Sequence, residues 1–290
     1  MQSFNTFLKE ETFLSEESEA LLEKLITFGG KAYPKFGNIV IMAGGAGSGK
    51  GFILSNLVGI EGKTFDVDEL KKLAAKTPAI QKRVMDELGV DIFKLSQNLK
   101  DPKNVEKLHE IIGIYLKTDK NKEKLFYRSV LTAPADRKPN IIFDMTFKEL
   151  SKLEKVANDA SKLGYDKKNI HIVWVVNDIE VAKAQNAKRA RVVPTEILVN
   201  THRGAANTMG DIINMGNKLK KYMDGDIVFA FNKVGVDANL VKSGKGGSYV
   251  KDANYFYVKR AGKPPTPVDK LDKEIRSKIA GYVPKNVDWN

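Results

Sequence analysis

The sequence has no cysteine among its 290 residues, which excludes a disulfide framework and any thiolate metal site. Histidine is also scarce: His109 has no second ligand at metal-binding spacing, and His171 lies in an apolar run, so we predict structural roles for both. No apolar run approaches the length needed to span a membrane, and residues 1–30 lack the basic start and apolar core of a secretion signal. These absences predict a cytoplasmic protein.

The chain has fewer acidic than basic residues, and the excess of positive charge is unevenly distributed along the sequence. The net charge is +12, yet residues 1–27 carry six acids against Lys9 and Lys24, so residues 28–290 carry +16. An excess of this size suggests an anionic partner, such as a nucleotide, a sugar nucleotide or nucleic acid. A solvated, lysine-rich surface would give the same balance, and charge alone does not choose between these explanations.

The stretch from residue 39 to residue 51 predicts a phosphate-binding site. Five small or apolar residues from Ile39 indicate a buried strand, a loop with four glycines follows, and apolar residues return at helical spacing after Lys50. Glycines let backbone N–H groups turn towards phosphates, and the lysine adds a point charge. The loop residues predicted to bind a nucleotide are Gly44, Gly45, Ala46, Gly47, Ser48, Gly49, Lys50 and Gly51.

One position departs from the usual pattern of such loops. The residue after the lysine is normally Ser or Thr, but it is Gly51 here and Phe52 comes next, so this part of the loop offers no hydroxyl ligand for Mg²⁺. The alternative is a glycine-rich turn before an ordinary helix. The spacing of Gly44, Gly49 and Lys50 favours the nucleotide site.

Acidic residues follow two further predicted strands. Asp66 ends a short strand, Asp68 begins the next helix, and Asp144 lies near the end of the apolar run that starts at Asn140. Ligands of open α/β sheets bind at the carboxyl ends of the strands. An acid placed there can accept the proton of an attacking hydroxyl or hold the water shell of Mg²⁺. Asp66 and Asp68 could instead cap the helix that follows them.

Arginine is rare in this chain, which makes its clustering informative. Eight of the 48 basic residues are arginine, yet Arg189, Arg191 and Arg203 fall within fifteen positions. The planar fork of arginine binds two phosphate oxygens together, whereas lysine supplies a point charge. The cluster therefore predicts phosphate binding, with a solvated helix end, where cations favour the helix dipole, as the alternative.

The order of the predicted elements is that of a doubly wound α/β fold. Five strands alternate with helices, which predicts a mainly parallel five-stranded sheet with helices on both faces. The predicted segments are an N-terminal helical segment (1–37), a nucleotide-binding domain (38–240) with a helical insertion (about 72–135), and a small C-terminal appendage (241–290). Within them we predict helices over 15–27, 208–223 and 268–279, and a hairpin over 249–258 that turns at 252–254.

Four stretches together resemble the zeta-toxin-type group of P-loop kinases, over residues 39–232. They are the loop from Gly44 to Lys50, the Asp-x-Asp of Asp66 and Asp68 with Lys71 after it, the strand that carries Asp144 and Thr146, and Arg189-x-Arg191-x-x-Pro194. The resemblance implies that Lys50 binds the phosphates and that Asp68 is the base for the acceptor hydroxyl. It implies that Arg191, with Arg189, covers the transferring phosphoryl group.

The resemblance also implies residues on the substrate side. Asp144 would place the substrate or, through water, Mg²⁺, while Asp66, Lys71 and Thr146 would complete the substrate site. The group usually has Ser or Thr where Gly51 stands, although the related adenylate kinases also have glycine there. It also has a second lid arginine in the stretch occupied here by Lys183, Ala184 and Gln185, so Lys183 or Arg189 is the candidate for that charge.

Three functions are compatible with these observations. The resemblance implies a kinase with ATP and Mg²⁺ as cofactors and a small anionic hydroxyl acceptor, for which UDP-N-acetylglucosamine is the substrate of toxin members. A kinase that phosphorylates nucleic-acid hydroxyls would have the same phosphate-binding loop. The basic charge, and the lysines among Tyr249, Tyr255 and Tyr257, favour this second function. The third function is that of a non-catalytic nucleotide-binding protein, which is consistent with the missing hydroxyl at position 51. The resemblance further implies an inhibitory protein partner, and we expect no membrane partner.

Overall fold

The computed structural model describes residues 26–31, 34–65, 73–116, 127–128, 130–242, 248–287 and 289. Its strands form one seven-stranded sheet. Their bounds are β1 Ile39–Ala43, β2 Lys63–Phe65, β3 Ile141–Met145, β4 Ile170–Val176, β5 Ile227–Phe231, β6 Ala238–Lys242 and β7 Ser248–Lys259. The spatial order is β2-β3-β1-β4-β5-β7-β6. The first five strands are parallel, and β7 runs antiparallel to both of its neighbours.

Helices connect the strands and also form a separate layer beside them. In the described residues they are α1 Lys50–Asn56, α2 Pro78–Leu88, α3 Ile92–Gln97, α4 Pro102–Leu108, α5 Ser151–Lys162, α6 Ile179–Ala187, α7 Thr195–Asn214 and α8 Lys273–Tyr282. A π-helix covers His109–Tyr115, and short 3₁₀ helices cover Ala135–Arg137, Lys167–Asn169, Gly216–Lys221 and Val268–Lys270. Within the residues that the structure describes, no helix has both the length and the apolar character needed to cross a bilayer.

Strands β1 and β5 are apolar along their whole length because both faces of the sheet are covered. Alternate residues of β1 enter two different cores, with Ile39 and Ile41 on one face and Val40 and Met42 on the other. The first face packs against α5, α7 and α8, and the second packs against α1. This arrangement confirms the predicted parallel α/β sheet with helices on both faces.

The helical insertion has a small core of its own. Helices α2 and α4 and the π-helix bury apolar residues against one another, including Val84, Leu108 and Ile112. Helix α2 begins at Pro78, where a missing N–H costs nothing, and ends at Gly89 with φ of 64°. The predicted breaks at Pro78 and Gly89 are therefore the start and the end of one helix.

The predicted number of strands and the predicted hairpin were wrong. The sheet has seven strands instead of five because β6 and β7 extend it beyond β5. The predicted turn at residues 252–254 lies inside β7, where Asp252 pairs with Asn239 of β6 and Asn254 pairs with Phe231 of β5. Pairing on both sides of β7 outweighs the turn preference of these polar residues. The boundary predicted between 240 and 241 falls within β6.

Two predicted helices differ from the structure in their bounds, and a third, predicted over 15–27, lies mostly outside the described residues. Residues 1–25 of the N-terminal segment lie outside the described residues, and Ile26 forms a strand-like bridge with Val58 instead of the end of a helix. Helix α7 begins at Thr195, thirteen residues before the predicted start. The helix predicted over 268–279 is a 3₁₀ turn followed by α8, because the side chain of Asp272 accepts hydrogen bonds from Glu274 N and Ile275 N and starts a new helix there.

Candidate functional site

The glycine loop lies at the carboxyl edge of the sheet, directly after β1, the middle one of the five parallel strands. Strand β1 pairs with β3 on one side and β4 on the other, and α1 begins at Lys50. Gly49, immediately before α1, has φ of 88°, a left-handed conformation that a residue with a side chain rarely adopts. The strand, glycine loop and helix are therefore arranged as the sequence predicts.

Several backbone N–H groups of this loop have no acceptor among the described residues, which leaves them available to a ligand. Ser48 N donates to Gly45 O within the loop, at 3.2 Å. Among the described residues, none accepts a hydrogen bond from the backbone N–H of Gly47, Gly49, Lys50 or Gly51. Unpaired donors at the end of a strand and the start of a helix form a concave, electropositive surface suited to phosphate oxygens.

The Lys50 side chain folds back over the loop and meets an acid from the next strand. Its Nζ donates to Gly44 O at 2.8 Å and lies 3.4 Å from Gly45 O. The same Nζ lies 3.5 Å from Asp144 Oδ1. Asp144 stands opposite Met42 in the β1–β3 register, so parallel pairing brings the predicted phosphate-binding lysine and the predicted metal-side acid together.

Three side chains from distant stretches support the loop, and the sequence analysis missed all of them as site residues. Thr201 Oγ1 accepts a hydrogen bond from Ala46 N at 3.2 Å, and His202 Nε2 lies 2.8 Å from Ala46 O. From the end of β5, Asn232 Nδ2 donates to Ser48 O at 2.9 Å. One pattern could have indicated Asn232: it directly follows an apolar strand of a parallel sheet, where ligand-side residues gather.

His202 is neutral at physiological pH. Burial lowers its pKa to about 4, and the positive charge of Lys50 acts in the same direction. The imidazole is 5% exposed, and its contact at Nε2 is a carbonyl oxygen, so the neutral ring donates from Nε2. His202 therefore adds a hydrogen bond to the loop without adding charge.

Two residues of the predicted arginine cluster, Arg189 and Arg191, lie on the turn between α6 and α7. Asn186 fixes this turn, because its side chain donates to Val193 O at 2.7 Å and accepts from Val193 N at 3.0 Å. Val192 N donates to Leu99 O of the helical insertion at 2.9 Å. The turn that carries Arg189 and Arg191 is thus tied both to α6 and to the insertion.

The remaining predicted residues lie in different places. Arg203 is on α7, where its Nη1 donates to Asn200 Oδ1 at 3.0 Å, and Thr146 follows β3 and is half-buried. Asp66, Asp68 and Lys71 lie outside the described residues. The roles predicted for all of them stay predictions.

Comparisons with known proteins complete this description. No family model matches the sequence, and no curated protein matches it. The chain is similar to a structure from the PezAT chromosomal toxin–antitoxin system of the human pathogen Streptococcus pneumoniae, with 12% identity over 80% of each chain and a TM-score of 0.41. It is also similar to a complex of AvrRxo1-ORF1 and AvrRxo1-ORF2 with sulphate ions, with 10% identity over 96% of this chain and 73% of that chain and a TM-score of 0.43. The same complex with ATP gives 9% identity, coverage of 91% and 75%, and a TM-score of 0.41.

Proposed function

We propose that this protein is an ATP-dependent phosphotransferase that moves the γ-phosphoryl group to a hydroxyl acceptor. The observation that carries the proposal is the loop after β1, where unpaired N–H groups, the Lys50 ammonium and the Asp144 carboxylate meet at one edge of a parallel sheet. Phosphoryl transfer depends on positioning and on charge stabilisation, and these groups supply both.

ATP fits the loop because the unpaired backbone N–H groups of the loop have no protein acceptor among the described residues. Lys50 would exchange its bonds to two backbone carbonyls for phosphate oxygens, which is a gain because a charged acceptor forms stronger hydrogen bonds. In this proposal Arg191, with Arg189, covers the transferring group from the α6–α7 turn. Asp68 takes the proton of the acceptor hydroxyl.

Mg²⁺ fits the site only in part. The described residues hold no cluster of three or more potential metal ligands among His, Asp and Glu, and neither Gly51 nor Phe52 carries an oxygen on its side chain. Asp144 is therefore the residue that would hold the ion, through its water shell. When bound, Mg²⁺ neutralises charge on the outer phosphates of ATP.

For the acceptor we propose a small anionic molecule, with a sugar nucleotide such as UDP-N-acetylglucosamine as the first to test. The charge of +16 on residues 28–290 favours an anion. A nucleic-acid acceptor is less well supported, because Phe256 packs against the core on one face of the sheet and Tyr255 and Tyr257 pack on the other. This packing onto the two faces of the sheet leaves the three rings less available for stacking on bases. Cytoplasmic location and an inhibitory protein partner belong to the same proposal.

A transfer assay with γ-labelled ATP and Mg²⁺ tests this function. The acceptors are UDP-sugars, nucleosides and 5′-hydroxyl oligonucleotides, each at low and high salt. Label on a small acceptor supports the proposal. Label on oligonucleotide alone, with a steep loss at high salt, selects the nucleic-acid kinase, and tight ATP binding without transfer selects a non-catalytic nucleotide-binding protein.

The substitution Asp68→Asn tests the proposed base. We expect it to lower kcat by about 1,000-fold while ATP affinity changes less than about threefold, because the amide cannot accept the acceptor proton but leaves the loop intact. Steady-state kinetics and calorimetric titration with ATP measure the two effects. Asp101→Asn, at the start of α4, is the matched control. Wild-type turnover in Asp68→Asn would remove this residue from the role of base.

A further inference from the structure

We propose that Thr201 and His202 are positioning residues that set the shape of the glycine loop from helix α7. We call this pair the α7 clamp. The proposal deepens the proposed function, since it takes the ligand of the loop to be a nucleotide. Its evidence is the packing of α7 against residues 45 and 46.

The α7 clamp uses both hydrogen-bonding groups of one loop residue. Thr201 Oγ1 accepts from Ala46 N at 3.2 Å and itself donates to Leu198 O at 2.7 Å, so its hydroxyl is satisfied in both directions. The neighbouring His202 Nε2 donates to Ala46 O at 2.8 Å. With both of its groups fixed, Ala46 cannot rotate, and the N–H groups that follow it keep their direction.

A steric contact explains why residue 45 is a glycine. The φ of Gly45 lies outside the left-handed region, so its backbone could accommodate a side chain. A Cβ atom at this position would lie 2.0 Å from His202 Cδ2, closer than two carbon atoms can approach. Gly45 is therefore required by the imidazole and not by the conformation of the loop.

The clamp also joins the loop to the turn that carries the arginines. Pro194 caps α7, and the clamp lies in the second turn of that helix. At 1.5 Å per residue, the first residue of α7 and His202 are about 10 Å apart along a rigid helix. One helix therefore carries the clamp and begins where the arginine-bearing turn ends.

An epistasis experiment separates this role from general stability. Gly45→Ala should weaken ATP binding by about 100-fold, because overpacking a tight contact displaces the loop. Adding His202→Ala removes the clashing ring, so the double variant should bind ATP within about threefold of His202→Ala alone. Titration calorimetry of the four proteins measures the coupling. Losses that simply add, or a Gly45→Ala variant with wild-type affinity, would overturn the proposal.

Amide hydrogen exchange gives a second measurement that needs no ligand. His202→Leu keeps the bulk of the ring but loses the donor, and we expect the amides of Ala46 and Ser48, which donate hydrogen bonds, to exchange about tenfold faster in it. His202→Gln keeps a donor and should exchange within about threefold of wild type. Asn207→Ala, an exposed position on α7, is the control. Equal exchange in the Leu and Gln variants would overturn the clamp.

The two measurements also separate this inference from the proposed function. If the wild-type protein binds no ATP, the proposed function fails, while the exchange experiment still decides whether the clamp holds the loop. If ATP binds and is turned over but the variants show no coupling and no faster exchange, the clamp fails and the proposed function stands.

Discussion

The glycine loop and the arginine-bearing turn are held in different ways. The loop is surrounded by side chains from α7 and β5, and both His202 and Asn232 are at least 95% buried. The turn over residues 188–194 is exposed or half-buried. The contacts that hold it include the side chain of Asn186, a backbone hydrogen bond to Leu99, and backbone hydrogen bonds from Lys188 N and Arg189 N back to α6.

This difference indicates a division of labour within the proposed site. Groups that bind the phosphates of ATP in every turnover gain from a rigid framework, because no energy is then used to order them. Groups that cover the transferring phosphoryl group must let substrates in and products out. The buried contacts of the loop fit a rigid framework, and the exposure of the arginine-bearing turn fits a cover that must open.

Of these two regions, the loop is expected to show the larger effect when a residue is changed. Lys50→Ala should weaken ATP binding by about 100-fold and lower kcat as well, because it removes the one charge that the described loop residues direct at the phosphates. Calorimetric titration and the transfer assay measure both effects. Lys152→Ala, at an exposed position on α5, is the control. Wild-type ATP affinity in Lys50→Ala would contradict the site and with it the comparison.

A smaller effect, confined to turnover, is expected at the turn. Arg191→Ala should lower kcat by about 30-fold with less than about threefold change in ATP affinity, because its charge is required mainly in the transition state. Arg137→Ala, on an exposed 3₁₀ helix, is the matched control. A loss of ATP affinity as large as that of Lys50→Ala would show that the two regions do not differ in the proposed way.

The smallest effect is a pH dependence of stability that originates at the loop. The pKa of His202 is lowered from 6.5 to about 4 in the folded protein. The neutral form is therefore favoured by folding, and its contribution is complete above pH 6.5 and is lost progressively as the pH falls towards 4. When the pH falls from 7.5 to 6, the titration of His202 should lower the free energy of unfolding by about 1 kcal/mol.

Denaturant unfolding of wild type and His202→Gln at both pH values measures that loss. The glutamine variant has no group that titrates in this window at position 202, so its stability should fall less than that of wild type between the two pH values. The difference between the two proteins isolates His202, because every other titrating group is the same in both. If the unfolding free energies of the two proteins changed equally between the two pH values, the imidazole would not be held neutral by its burial against the loop.

The sequence predicted the parts of the site that depend on neighbouring residues. The strand, the glycine loop and the start of α1 follow from one continuous stretch, since apolar runs, glycines and helical spacing act locally. The parallel sheet with helices on both faces follows from alternation of strands and helices along the chain. The predicted number of strands was wrong because β6 and β7 pair with the sheet. Turn-forming residues inside β7 had predicted a hairpin there instead of one long strand.

What the sequence by itself determined is therefore the succession of strand, glycine loop and helix, and the class of fold that presents it. Only the tertiary structure placed His202 and Asn232 against that loop, because they are 156 and 184 residues away from the atoms they contact. Contacts over such separations depend on how sheet order and helix packing bring distant stretches together. No local pattern of amino acids encodes the distance between two side chains on different elements, whereas local preferences suffice to make a strand, a turn and a helix.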